Sequence, residues 1–154
     1  MLETARILKL PIIITEQYPR GLGKTLGELD ISTASVFEKG QFSMLTEEVK
    51  QALHKTQLTQ VILLGIETHV CILQTTLDLL QDGKDVFLVV DAISSSRALD
   101  RSVALQRLHK EGAVITTAES VVLEMIKSKD HAKFKELMPL VKLFKFDGDL
   151  ISSL

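Results

Sequence analysis

Apolar and polar residues alternate along this chain in blocks that predict strands followed by helices. The apolar runs at residues 11–15, 34–37, 60–65, 85–90 and 113–117 have strand length and are largely uninterrupted. Such runs are typical of parallel strands that are covered on both faces. Amphipathic or mixed stretches with helical spacing occupy residues 2–9, 46–55, 69–81, 100–111 and 119–127, and residues 131–144 contain one or two more helices. This alternation predicts an α/β fold, a three-layer α/β/α sandwich around a mainly parallel sheet.

Individual residues mark several ends of these elements. Thr46 can cap the helix that follows it, because its hydroxyl can accept a hydrogen bond from a free amide of the first turn. Gly83 and Gly112 each follow a predicted helix, where glycine is common. There is no repeat and no linker, so the pattern indicates one domain at residues 1–144, followed by a tail at 145–154 without a clear pattern.

Composition and charge narrow the class of protein. The 154 residues are 45% hydrophobic and 25% charged, which is ordinary for a globular domain, and the net charge of -2 does not favour a nucleic-acid surface. The apolar runs are too short to span a bilayer, and no signal peptide is recognisable. A single cysteine excludes an internal disulfide and fits a reducing compartment, so we expect a cytoplasmic protein. The final Ser-Ser-Leu lacks the lysine of the peroxisomal ending that it resembles.

The most informative position for chemistry is Cys71, in the first turn of the helix after the strand at 60–65. Unpaired amides at a helix start favour the thiolate, which is the nucleophilic form of cysteine. The competing interpretation is a buried small hydrophobe, which is commoner for a lone cysteine. Lys39 also follows a predicted strand, and parallel sheets bind ligands at the carboxyl ends of their strands. Without that context, Lys39 would be taken for a solvated loop lysine.

Other motifs are weaker. Gly21-Leu-Gly-Lys-Thr25 looks like the end of a phosphate-binding loop, but Tyr18 occupies the position of the first glycine of that motif. No histidine has a partner at metal-ligand spacing, and neither a serine-hydrolase elbow nor a dinucleotide motif is present. The sequence therefore predicts no metal and no cofactor.

Five segments together carry a family resemblance. They are Thr15-Glu-Gln-Tyr-Pro-Arg-Gly-Leu-Gly23, Phe37-Glu-Lys-Gly-Gln-Phe-Ser-Met44, Gly65-Ile-Glu-Thr-His-Val-Cys-Ile72, Asp91-Ala-Ile-Ser-Ser-Ser-Arg97 and Asp130-His-Ala-Lys-Phe-Lys-Glu136. With them the chain resembles the isochorismatase-like, or cysteine-hydrolase, superfamily, and within it the animal isochorismatase domain-containing proteins. The resemblance implies a Rossmann-type fold and the hydrolysis of a small amide-like or related substrate.

The resemblance also implies roles for individual residues. Cys71 matches the nucleophile and Lys39 the lysine of an Asp-Lys-Cys triad. A non-proline cis peptide falls between Ile66 and Glu67, and the amides of Glu67 and Cys71 would form an oxyanion hole.

Three further residues are candidates for the substrate pocket. Gln17 and Tyr18 could contact the substrate or simply pack in their loop. His69 could line the pocket or serve as a cap or surface group.

The chain departs from the family pattern in one respect that bears on activity. The triad aspartate ends the family's first strand, which would precede the helix at 2–9, and no residue of this sequence matches it. We do not reassign its role to Glu16 or Asp91. We expect an N-terminally truncated chain with the first strand missing, favoured as a fragment of a longer enzyme; the alternative is a short, inactive oligomerisation or interaction domain.

The resemblance bears on metals and partners as well. Nicotinamidases of the superfamily bind a metal through an Asp/His cluster, but the corresponding loop at 16–29 contains no histidine. Members are often homo-oligomers, so we expect a small-molecule substrate and self-association, with neither nucleic acid nor membrane as a partner.

Overall fold

The computed structural model describes residues 1–144, so the predicted tail at 145–154 lies outside the described residues. The strands are Ile13–Gln17 (β1), Ser35–Lys39 (β2), Gln60–Ile66 (β3), Asp85–Ser94 (β4) and Val114–Thr116 (β5). The α-helices are Leu2–Ile7 (α1), Pro19–Leu22 (α2), Glu47–Thr56 (α3), Leu73–Gln81 (α4), Ala98–Lys110 (α5), Ala118–Ile126 (α6) and Phe134–Val141 (α7), and a π-helical turn occupies Thr68–Ile72 (the π-turn). This order confirms the predicted alternation of strands and helices.

The strands are parallel but form two sheets. β1 pairs with β2, whereas β3, β4 and β5 form a second sheet in that order. Within residues 1–144, β1 and β3 each have one strand partner. The absence of the family's first strand, which the resemblance implies, stays a prediction.

Apolar clusters cover both faces of the three-stranded sheet. On one face, Leu63 and Leu88 pack with residues of α4 and α5, and on the other, Val89 packs with residues of α6 and α7. Neighbouring residues of a strand point to opposite faces, so Leu88 and Val89 can both be fully buried. Burying one such side chain contributes about 1.5–3 kcal/mol. The uninterrupted apolar runs predicted this double burial.

β4 is longer than the sequence predicts. The predicted strand covers residues 85–90, but β4 continues to Ser94. Leu63 pairs with Leu88 and Gly65 with Ile93, so β4 carries extra residues at this point and departs from a regular ladder. The Asp91 carboxylate accepts a hydrogen bond from the Ala118 amide at 2.8 Å. That interaction, which couples β4 to the start of α6, is long-range and invisible in the local pattern.

Several predicted boundaries shift. β1 begins two residues later than predicted, and α2 is a short helix that the sequence pattern does not predict. The segment at 131–144 contains one helix, α7, with Pro139 inside it. The predicted cap of α3 is confirmed, since the Thr46 hydroxyl accepts from the Val49 amide at 3.4 Å.

Candidate functional site

Cys71 lies in the π-turn rather than in the regular helix that the sequence predicts. The chain reaches this turn through Gly65, whose φ of +122° is in a region that favours glycine, and through a cis peptide between Ile66 and Glu67. The cis bond stands where the resemblance implied it. The Thr68 hydroxyl donates to the Ser94 carbonyl at 3.0 Å, so the π-turn is tied to the end of β4.

The hydrogen bonds of the π-turn involve the residues on either side of Cys71. The Glu67 carbonyl accepts from the amides of Val70 and Ile72, each at 3.1 Å. Val70 and Ile72 flank Cys71, so the Glu67 carbonyl is hydrogen-bonded to the amides immediately before and after the cysteine amide. Wide π-turns inside helices are frequent at functional sites. Sequence periodicity could not predict this turn, because one wide turn barely alters the spacing of apolar residues.

Lys39, at the end of β2, brings its ammonium to the thiol. The distance from Lys39 Nζ to Cys71 Sγ is 3.6 Å, and only 6% of the lysine is exposed. Nζ also donates to the carbonyls of Phe42 at 2.8 Å and Gln41 at 3.1 Å, and to Gln17 Oε1. The two residues that the sequence places at the same sheet edge are therefore in contact, although Lys39 ends β2 and Cys71 lies in the π-turn that follows β3 of the other sheet.

Gln17 and Lys39 are neighbours across β1 and β2, where they form a register pair. The Gln17 amide group donates from Nε2 to the Gly40 carbonyl at 2.8 Å, while its Oε1 accepts from Lys39. The side chain is thus engaged by protein groups at both of its polar ends.

Tyr18 lines a cavity of about 300 Å³ that also borders Lys39. This cavity is lined by Tyr18, Pro19, Arg20, Glu38, Lys39 and Gly40. Tyr18 is 60% exposed, and its amide donates to the Lys39 carbonyl at 2.9 Å. A Cβ at Gly21 would lie 2.2 Å from the Tyr18 ring, so glycine leaves the space in which the ring rests.

His69 is held by the loop that follows β4. Its Nδ1 lies 3.0 Å from Ser95 Oγ and 3.5 Å from a Glu67 carboxylate oxygen. Ser96 donates to the same carboxylate from its amide at 3.3 Å and from its hydroxyl at 3.1 Å. Neither serine was a predicted site residue; the Ser-Ser-Ser run at the end of β4 is the sequence feature that could have indicated them. These hydrogen bonds connect the start of the π-turn to the loop that follows β4.

Glu16 and Asp91, to which no catalytic role was assigned, accept hydrogen bonds from Thr25 and Ala118 respectively. Glu16 Oε1 accepts from the Thr25 amide at 2.8 Å and from its hydroxyl at 2.9 Å, and the amide hydrogen bond, followed by the hydroxyl bond, lowers the pKa of Glu16. Asp91 caps α6 and also lines a separate cavity of about 520 Å³ between Ile66 and Arg101.

Two absences can be stated for the part of the chain that the structure describes. No cluster of three or more His, Cys, Asp or Glu side chains is arranged to hold a metal ion. In the same 144 residues, no helix combines the length and apolar character needed to cross a membrane.

Comparisons with known proteins agree on one family. A model described as the isochorismatase domain matches residues 1–120. The chain is 46% identical over 154 residues to isochorismatase domain-containing protein 1 of Danio rerio, covering 99% of this chain and 54% of that protein. The chain therefore spans about half the length of this curated relative.

Solved structures show the same fold. A MAR1 ribonuclease structure from Caenorhabditis elegans has a TM-score of 0.83 and 43% identity, and the match covers 92% of this chain and 72% of that one. A structure of YcaC from Pseudomonas aeruginosa with hexane-2,5-diol and covalent acrylamide has a TM-score of 0.81 and 28% identity, with 92% and 75% coverage.

Proposed function

The chain belongs to the isochorismatase family, and from that membership we propose that it is a hydrolase of a small amide-like or related substrate, with Cys71 as its nucleophile. The observation that carries the proposal is the 3.6 Å contact between Cys71 Sγ and Lys39 Nζ. A buried ammonium beside a thiol favours the thiolate electrostatically. The thiolate is the form that attacks a carbonyl carbon.

The proposed reaction proceeds in two stages. The Cys71 sulfur forms a bond to the carbonyl carbon, and the amides of Glu67 and Cys71 stabilise the negative charge that develops on the oxygen. The carbon–nitrogen bond then breaks, and the leaving nitrogen takes up the proton that the thiol gave up. Water next attacks the thioester, which releases the acid and restores the thiol. Tyr18 and His69 are proposed to line the substrate pocket.

Covalent acrylamide in the Pseudomonas aeruginosa YcaC structure supports this chemistry in a relative. Acrylamide is a small amide and also an electrophile that thiolates attack. The word ribonuclease applies to the Caenorhabditis elegans protein, and RNA therefore belongs in the substrate panel beside small amides and ureido compounds.

The first test is alkylation of Cys71 by iodoacetamide, because this thiol is the only one in the chain. We expect Cys71 to react faster than glutathione at neutral pH, and Lys39→Met to slow the reaction about tenfold, since loss of an adjacent positive charge disfavours the thiolate. Lys84→Met is the matched control, because Lys84 is remote from the site and donates to the Leu58 carbonyl at 2.7 Å. Equal rates for the wild type and glutathione would contradict the proposal.

The second test is release of ammonia from a panel of primary amides and ureido compounds. Hydrolysis should be abolished by Cys71→Ala. An active thiol without turnover of any panel member, RNA included, would instead favour the second candidate, an inactive interaction domain. That candidate has its own support: the partners of Lys39 in residues 1–144 are a thiol, an amide oxygen and two carbonyls, with no carboxylate to serve as general base.

Self-association and a cytoplasmic location complete the proposal. Exposed apolar side chains at Leu99 and Val103 of α5, 63% and 57% exposed, are consistent with contacts between copies. Sedimentation velocity should therefore detect a species heavier than the 17.1 kDa monomer, and Val103→Lys should weaken it. A single monomeric species across a concentration series would reject this part.

A further inference from the structure

We propose that Gln17 is a positioning residue: its neutral side chain holds the Lys39 ammonium on the Cys71 thiol without neutralising the charge of that ammonium. This inference rests on the proposed function, because it concerns the same thiol. It concerns an interaction between two protein groups, however, and can be tested without any substrate.

The orientation of the Gln17 amide follows from its two neighbours. The Gly40 carbonyl can only accept a hydrogen bond, so it faces the Gln17 NH₂ group, at 2.8 Å. The Lys39 ammonium can only donate, so it faces Oε1. Gly40 immediately follows Lys39, and both contacts therefore fix the Gln17 amide against the same end of β2.

The surroundings of Lys39 explain why neutrality matters. Its ammonium donates to three oxygens, those of Gln17, Gln41 and Phe42, and none of these carries a charge. Within residues 1–144, Lys39 forms no ion pair with a carboxylate, and the ionisable group in contact with Nζ is the Cys71 thiol. The positive charge is therefore directed at the sulfur, where it favours the thiolate.

A carboxylate at position 17 would change this balance. Gln17→Glu keeps the shape of the side chain and its Oε1 acceptor, but it adds a negative charge beside Nζ. A charge-assisted pair would form between Glu and Lys39, and the thiolate would lose much of its electrostatic support. The Nε2 donor to Gly40 would also disappear, so a second variant must separate the loss of this bond from the added charge. Gln17→Met serves that purpose, since it removes both hydrogen bonds without adding charge.

The experiment is the pH profile of iodoacetamide alkylation of the full chain in about 0.15 M salt, where distant charges are screened. We expect Gln17→Glu to move the midpoint of the profile upward by about one pH unit, which lowers the rate below the midpoint about tenfold. Gln17→Met should lower the rate less and move the midpoint less. Gln60→Glu is the matched control, because it makes the same change at the exposed amino end of β3 and should leave the profile unchanged.

A double variant distinguishes positioning from simple structural damage. In the Lys39→Met background, Gln17→Glu should no longer move the midpoint, since the charge through which Gln17 acts is absent. The proposal is overturned if Gln17→Glu leaves the wild-type midpoint in place, or moves it equally with and without Lys39. A shifted midpoint in a chain that hydrolyses no amide would support the role of Gln17 while rejecting the hydrolase activity.

Discussion

Arg101 is a buried cation whose neighbours are backbone carbonyls. It is 7% exposed and donates to the Val90 carbonyl at 2.6 Å and the Ile93 carbonyl at 3.4 Å, where β4 departs from its regular ladder with β3. Burial lowers the pKa of Arg101, but an arginine stays charged at neutral pH. Its side chain therefore connects α5 to two backbone carbonyls of β4.

We expect Arg101→Met to lower the free energy of unfolding by about 1–3 kcal/mol, because buried carbonyls lose their donor. Urea unfolding monitored by circular dichroism measures the change. Arg97→Met is the control: its side chain is 71% exposed and pairs with Asp100 at 3.5 Å, so its effect should stay within about 0.5 kcal/mol. Equal midpoints for the two variants would show that the carbonyls find other partners.

The segment between β1 and β2 shows how one carboxylate can organise an element. Glu16, the penultimate residue of β1, accepts hydrogen bonds from the amide and the hydroxyl of Thr25. These hydrogen bonds lower the pKa of Glu16 below its ordinary value of 4.5. Because the folded pKa is the lower one, the stabilisation is fully present above about pH 4.5 and is lost as the pH falls through the folded value.

We therefore predict that the stability difference between wild type and Glu16→Gln is largest near neutral pH and shrinks as the pH falls through the folded pKa of Glu16, since the protonated wild-type carboxyl then resembles the amide. Urea unfolding at a series of pH values provides the measurement. Thr25→Val is the informative control, because it removes the hydroxyl donor and keeps the amide donor, so part of the pH dependence should remain. A difference that is constant with pH would contradict the assignment.

The arrangement of the two sheets is a property of the whole molecule. The central residues of β4, Phe87 to Val89, pair with β3 on one side and β5 on the other. β1 and β3 have a single strand partner each within residues 1–144. Their second edges carry amides without a ladder partner in that part of the chain, and such amides are open to solvent or to another strand.

Hydrogen exchange measured by NMR should reveal this difference. We expect slow exchange for consecutive amides of β4 at 87–89, and an alternation of slow and fast amides along β1 and β3, since successive amides of a strand point to opposite sides. Uniformly slow exchange in β1 and β3 would mean that a further strand or another copy covers their edges.

The sequence by itself determined the α/β alternation, because continuous apolar runs and helical spacing are local patterns that survive in any arrangement of the elements. It also identified Cys71 and Lys39 as candidates, since a cysteine after one strand and a lysine after another are readable from residue type and position. Their roles as nucleophile and charge partner stay proposals, although the two side chains lie 3.6 Å apart.

Only the tertiary structure decided how these parts meet. The continuation of β4 beyond Asp91 follows from its pairing with β3, where Gly65 lies opposite Ile93 and Ile66 opposite Ser94. The π-turn at Cys71 is one such feature. The hydrogen bond from Lys39 to Gln17, which joins two strands, is another. Periodicity records which face of an element is apolar, but it carries no information about which polar groups lie across a strand edge. For that physical reason, the neighbours that set the charge around the thiol could be found only in the folded chain.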